Sequence, residues 1–205
     1  MERQYKEIQP GVQLLLREMN PPRQELALLQ GDIDIGITRL PFSKKLAPDL
    51  EVKSILREPL VVAVPMAHRF AGGKLKIEEL SEEPFILLQR DGAPTVYDAI
   101  LGMCQKSGFA PKVASEADFM HTLFTLVAAG QGIALIPACA MNQRPVGVRF
   151  LRLQHDDYKA DLVLAWRKDS QPSTLQKFVR LVEKEGEAIR SDARQLLESA
   201  CCANS

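Results

Sequence analysis

The chain has 205 residues, 46% hydrophobic and 25% charged, the mixture of an ordinary globular protein. Lysine plus arginine and aspartate plus glutamate number 26 each, so the formal charge is zero. The basic excess with which a nucleic-acid-binding domain displaces counterions is therefore missing. No run of about 18 apolar residues is present to span a bilayer. Met1–Ile8 is charged and lacks an apolar signal core, so neither membrane insertion nor export is expected.

Glu2–Ile8 reads as the end of a helix closed by Pro10-Gly11, and Val12–Met19 as a strand. Asn20 can cap the next helix through its side-chain oxygen, with Pro21 where a missing N–H costs nothing. That helix runs to Gln30 and stops at Gly31. Ile33, Ile35 and Ile37 alternate with Asp34 and Gly36, a strand signature. Strand, helix, strand in this order implies a parallel pair with a right-handed crossover. Leu40–Leu50 reads as a loop, and Val52–Pro65 as one long apolar strand or two, interrupted at Arg57-Glu58-Pro59. Glu78–Leu80 is a helical turn and Phe85–Leu88 a buried strand. Thr95–Ser107 is a helix, with Thr95 a candidate cap, and Lys112–Ala114 a short strand.

Phe119, Leu123, Leu126 and Val127 share one helical face, with Asp118 placed to cap that helix. Core packing is the favoured reading for Phe119. Gly130 and Gly132 stop the helix, because glycine takes left-handed backbone without steric cost. Ile133–Ile136 then reads as a buried strand ended by Pro137. Val148–Leu153 and Leu162–Trp166 are strands. Ser173–Ile189 is an amphipathic helix with Leu175, Phe178, Val179 and Val182 inward, and Ser191–Ser205 reads as a frayed, disordered tail. Alternating strands and helices imply an α/β fold with mostly parallel sheets.

Catalytic patterns are missing. His68, His121 and His155 are far apart, and no paired-histidine metal motif or serine nucleophile elbow occurs. Gly72-Gly73-Lys74 lacks the spacing of a phosphate loop, and Gly130-Gln131-Gly132 has Leu135 where a dinucleotide fingerprint needs its third glycine. The reading is a non-enzyme with no cofactor and no metal. Cys104, Cys139, Cys201 and Cys202 fit no metal motif or disulfide framework. Cys104 and Cys139 read as buried free thiols and Cys201 and Cys202 as exposed, which points to a reducing cytoplasm.

A binding site is better supported. In open α/β sheets, ligands sit beyond the carboxyl ends of the strands. Those ends are Asn20-Pro21, Thr38-Arg39 and the loop Arg90–Thr95. The helix beginning near Thr95 offers free N–H groups and a positive dipole end, which favour an anion.

Four ordered stretches carry a resemblance: Pro10-Gly11-Val12 with Leu14–Met19, Leu26–Ile37, Leu56–Pro65 with His68 and Arg69, and Leu126–Ala138. Together they make the chain, over roughly Met1–Arg190, similar to the C-terminal effector-binding domain of LysR-type transcriptional regulators. The resemblance implies two Rossmann-like subdomains joined by two crossing strands, as in type II periplasmic binding proteins. Subdomain I would hold residues 1–59 and 159–190, and subdomain II residues 60–158. It also implies that the DNA-binding domain and the effector domain's own first strand are absent.

By the same resemblance, a small organic anion, aromatic or dicarboxylic, would bind in the interdomain cleft and control transcription. Its contacts would be Asn20, Pro21, Thr38, Arg39, Pro94, Thr95, Val96, Tyr97, Asp118 and Phe119. Pro21 stands where the family often has a hydroxyl residue. Arg39 and Glu58 match a candidate switch ion pair, against a plain solvated-surface reading for both. The expected partners are the effector, a homo-oligomer (dimer or tetramer), and DNA only through the missing N-terminal domain. A stand-alone solute-binding module and a truncated decoy pairing with full-length regulators remain alternatives.

Overall fold

In a computed structural model, residues 2–39, 47–70, 74–154, 159–170 and 172–202 are described. They form two compact units, residues 1–57 with 161–192 and residues 58–160 with 193–205. Within the expected loop Leu40–Leu50, residues 40–46 lie outside the described residues, as does His155.

The first unit opens with helix α1 (Glu2–Ile8), whose Tyr5 is 2% exposed. Its hydroxyl donates to the Thr174 carbonyl at 2.7 Å, and its ring meets Phe178 edge-on, centroids 5.2 Å apart. Both partners lie on α5 (Ser173–Cys202), which turns Leu175, Val179, Leu181 and Val182 inward. The helix runs on to Cys202, through residues that composition reads as a frayed tail. Helix α2 (Pro21–Gln30) starts on Asn20, whose side chain accepts from the Arg23 N–H at 3.1 Å. It ends at Gly31, φ 78°, whose N–H reaches back to the Ala27 and Leu28 carbonyls. Buried Leu28 packs with Leu50 and Ala165.

Two expectations fail in this unit. Residues 12–19 form no strand, and Leu15 and Leu16 stand 74% and 79% exposed. Apolar character makes a strand only where a neighbour takes up its backbone hydrogen bonds, and no described strand does so. The run Ile33–Ile37 yields only the short β1 (Gly36–Arg39). It pairs antiparallel with β8 (Lys159–Arg167), Thr38 opposite Val163, so the expected parallel pair is replaced by an antiparallel one.

Strand β2 (Leu50–Pro65) is a single strand, uninterrupted at Arg57-Glu58-Pro59. Its C-terminal half is the centre of the second unit. There β6 (Ala134–Pro137) pairs antiparallel on one edge and β7 (Val148–Leu153) antiparallel on the other. Short β3 (Lys74–Leu75), which sequence patterning missed, adds to β7 in parallel. Strands β4 (Pro84–Leu88) and β5 (Lys112–Ala117) pair in parallel, and a parallel Phe85–Ile133 bridge aligns β4 with the chain entering β6. The ladders are therefore mixed, not mostly parallel.

Both faces of this unit are covered. Leu60, Val62 and Val64 belong to one cluster with Phe85, Leu87, Leu135 and, from α3 (Pro94–Lys106), Val96, Ile100 and Cys104. Val61 and Ala63 point the opposite way, toward Ile86, Ile136 and, from α4 (Met120–Ala128), Leu123, Phe124 and Val127. Period-two alternation between two helices is why this stretch is apolar at every position rather than every second one. Cys104, fully buried, has its thiol pushed up to about 11 by desolvation, as expected of an inert packing cysteine. Cys139 is only half-buried, against the expectation of a buried thiol, and the side chains of Cys201 and Cys202 lie outside the described set.

The glycine joint before β6 has two different causes. Gly130 takes left-handed backbone, φ 76°. Gly132 does not, and its reason is proximity: a Cβ there would sit 2.5 Å from the Pro84 carbonyl oxygen. Gly102 in α3 has nothing within 4 Å of that position. Gly132→Ala should lower unfolding free energy in urea titrations by about 1–3 kcal/mol. Gly102→Ala should be neutral or raise it by up to about 1 kcal/mol.

Candidate functional site

The clearest candidate is the rim where β4 and β5 end. Leu88 pairs with Ala117, and the Gln89 N–H donates to the Ala117 carbonyl at 2.9 Å. This pairing sets the loop before α3 beside the turn before α4, so Pro94–Tyr97 and Asp118-Phe119 come together at one edge. The Gln89 carbonyl accepts from the Gly92 and Ala93 N–H groups, both at 3.0 Å, which shapes the approach to the helix.

Helix α3 starts one residue earlier than the sequence suggests. Ala93 is its N-cap, without a side-chain cap bond, and Pro94 opens the first turn, so Thr95 is inside the helix and not its cap. With nothing capping them, the Thr95 and Val96 amides remain available to solvent or a ligand. The side chain of Val96 itself is buried in the core.

Neighbouring polar groups are already engaged. Arg90 holds Asp98 through two hydrogen bonds of 2.8 and 3.0 Å, and this bond holds the Asp98 carboxyl below its ordinary range. The Tyr97 hydroxyl donates to Glu116 at 3.3 Å. Desolvation first, then the Glu116 charge, pushes the Tyr97 phenol up. Along this edge Arg90 is committed to Asp98, with Asp91 also within its electrostatic reach, and Glu116 is taken by Tyr97.

The cap of α4 lies one residue beyond its expected position. Phe119, not Asp118, occupies the N-cap position and makes no side-chain cap bond. Phe119 is 55% exposed, against the expected core placement, and lies parallel to His121 with ring centroids 5.6 Å apart. Packing of α4 is carried instead by Leu123, Phe124 and Val127, so the helix has no core position for Phe119 to fill.

The first unit presents its predicted residues differently. Asn20 is used in capping, Pro21 and Pro22 have no N–H, Arg23 N–H is bonded to Asn20 Oδ1, and Gln24 N–H to the Asn20 carbonyl at 3.0 Å. The start of α2 therefore offers an anion none of the free amides that α3 does. Thr38 is 3% exposed, and its hydroxyl has no hydrogen-bond partner among the described residues. Arg39 follows it at the end of β1, half-buried.

Glu58 is 1% exposed, which overturns the solvated-surface reading for it. Its carboxylate accepts the backbone N–H of Cys139, at the start of the 3-10 turn Ala138–Gln143 that follows β6. This turn was not foreseen. Acidic Glu58 in the middle of an apolar strand was the one sequence signal pointing to it.

The described residues include no cluster of histidine, cysteine or acidic side chains that could hold a metal, and no helix long and apolar enough to cross a membrane. Covered sheet strands, a rim of loops at the strand ends and uncapped helix amides define the class: an α/β ligand-binding domain of the periplasmic-binding-protein type. The chain belongs to the LysR substrate binding domain family, which matches residues 3–187.

It is 35% identical over 186 residues to the HTH-type transcriptional regulator IlvR of Caulobacter vibrioides, covering 91% of this chain and 62% of that protein. It is 30% identical over 180 residues to the HTH-type transcriptional regulator AlsR of Bacillus subtilis, covering 87% and 59%. The chain thus spans about three-fifths of the length of these curated relatives. Among solved structures, the LysR family regulator CbnR superposes with a TM-score of 0.75 at 27% identity, over 88% of this chain and 62% of that one. The BenM effector binding domain with its effector benzoate shares the fold, with a TM-score of 0.75 at 24% identity over 89% and 82%.

Removing the buried Glu58 carboxylate leaves the half-buried Cys139 N–H without this acceptor. Glu58→Ala should lower stability by about 1–3 kcal/mol in denaturant titrations. Glu58→Gln, which keeps a carbonyl oxygen for the Cys139 amide, should lose clearly less.

Proposed function

We propose that this chain is the ligand-sensing domain of a LysR-type transcriptional regulator, and that it binds a small aromatic carboxylate without transforming it. The observation that carries the reading is the uncapped first turn of α3 at the rim, where the Thr95 and Val96 amides have no competing acceptor. Backbone N–H groups and the helix dipole together suit a carboxylate.

Magnitudes favour an aromatic acid over a dicarboxylic one. Each exposed carboxylate of the rim acts on a bound anion through water-screened Coulomb energy, of order 1 kcal/mol at close range. That is comparable to the roughly 0.3–1 kcal/mol of a helix terminus. A second negative charge would gain little from Arg90, which is already paired with Asp98. An aromatic ring would gain contact with Phe119 and Tyr97, and such ring pairs are worth about 0.5–1.5 kcal/mol beyond area burial.

Pro94, Thr95, Val96, Tyr97, Asp118 and Phe119 are proposed to form the contact set in the second unit. Asn20, Pro21, Thr38 and Arg39 are kept as secondary candidates in the first, and Arg39 and Glu58 as the switch pair. The two units serve as subdomains I and II. In the complete regulator, ligand binding would alter a homo-oligomer that acts on DNA in the cytoplasm. The action on DNA extends to the chain what its relatives' descriptions as HTH-type regulators, and a CbnR structure with its target DNA, say of those proteins, and the homo-oligomer and the cytoplasm belong to the proposal.

Isothermal titration with benzoate and succinate tests the reading. Benzoate should bind and succinate should bind more weakly or not at all. Thr95→Pro gives α3 the double-proline start that α2 already has, deleting one amide donor while suiting a first helical turn. It should weaken benzoate roughly tenfold, the loss of about one hydrogen bond to a charged group, with the melting temperature unchanged. Equal affinity of variant and parent would overturn the assignment of that amide.

A further inference from the structure

The opposite end of the second unit carries a different kind of surface. Pro65 of β2 lies opposite Val148 of β7, and β6, antiparallel to β2, is aligned with β4. So β2 ends and β7 begins where β4 and β5 start, away from the rim. There the Met66 N–H donates to the Gly147 carbonyl at 2.9 Å, which sets Met66 beside Val146. Val146 is 94% exposed and Met66 57%.

The loop is held firmly. Arg144 takes left-handed backbone, φ 45°, and its N–H is bonded to the Met141 carbonyl at 3.0 Å. Gly147, φ 80°, lies against Ala128, so closely that a Cβ would come within 3.2 Å of the alanine Cβ. A non-glycine residue stays in that conformation only where its surroundings impose it, and such strain concentrates at functional surfaces.

The charge nearby is positive. His68 and Arg69 share Glu83, at 3.2 and 2.7 Å, and Arg149 donates to the His68 and Phe70 carbonyls. Arg144 has no hydrogen-bonding or ionic partner for its side chain among the described residues. Among the described residues at this end, His68 and Arg69 answer Glu83 and Lys112 answers Glu82, so both carboxylates are already paired while Arg144 is left over.

We propose that Met66, Arg144 and Val146 form a docking surface for an acidic segment of another protein, one that places an apolar side chain beside its carboxylates. Charge complementarity selects this occupant. A phosphate backbone would satisfy Arg144 but leave Val146 and Met66 in water, and a purely apolar partner would bury Arg144 unpaired. A loop already fixed at both ends loses little conformational freedom on docking.

The test uses the full chain and a short fluorescein-labelled peptide of alternating glutamate and leucine, followed by anisotropy. Saturable binding is expected, weakened roughly tenfold by Val146→Asp and by Arg144→Glu, as for an interface anchor. Arg144→Lys should retain it, and melting temperatures should not move. Four outcomes would each overturn the proposal: no saturable binding, equal binding of a peptide with lysine in place of glutamate, indifference to both charge-altering variants, or displacement by duplex DNA, which would mark a phosphate-binding surface instead.

Discussion

The second unit depends on the burial of one half-strand from every side. Leu60–Val64 has β6 and β7 on its two edges and α3 and α4 on its two faces, and each of these five side chains is at most 2% exposed. Burying the leucine and the three valines is worth about 1.5–3 kcal/mol each before conformational entropy is counted. The requirement propagates outward. Covering the two faces demands helices, helices demand loops at the strand ends, and those loops form the rim on which the functional reading stands. Gly132 allows the final close approach, with the chain entering β6 lying directly on the Pro84 carbonyl.

Two helix starts show how small sequence differences divide the labour of the fold. Both α2 and α3 begin with proline, yet α2 adds Pro22 and an Asn20 cap, and its amides are committed internally. Helix α3 has Ala93 in the cap position and leaves its amides uncommitted. Favourable capping by asparagine is worth about 1 kcal/mol. Its omission at α3 is therefore a local loss of stability, the pattern expected where a ligand completes the structure.

Much of this architecture was legible in the sequence. The long apolar run within Val52–Pro65 announced a strand, Gly31 a helix stop, and Asn20-Pro21 a capped start. The ordered stretches Leu56–Pro65 and Leu126–Ala138 pointed to the LysR family, to which the chain belongs. What failed did so for identifiable reasons. Val12–Met19 has strand composition, but pairing is a property of two segments, and composition reports only one. Caps were misplaced by two residues at α3 and by one at α4 because Thr95 and Asp118 are good capping residues that stand near, not at, the required positions Ala93 and Phe119. Phe119 was assigned inward on helical spacing, yet it precedes the helix and its ring is turned out. Buried Glu58 and the turn it anchors are non-local, joining residues 81 positions apart, which no periodicity encodes.

The central claim is that the second unit holds a small carboxylate on backbone amides at the first turn of α3. Amide-resolved NMR during a titration with benzoate measures this most directly. The account predicts that the largest saturable shifts fall on the Thr95 and Val96 amides, with smaller ones at Tyr97 and Phe119. Shifts centred elsewhere, or amides of that turn left unmoved at saturation, would contradict it.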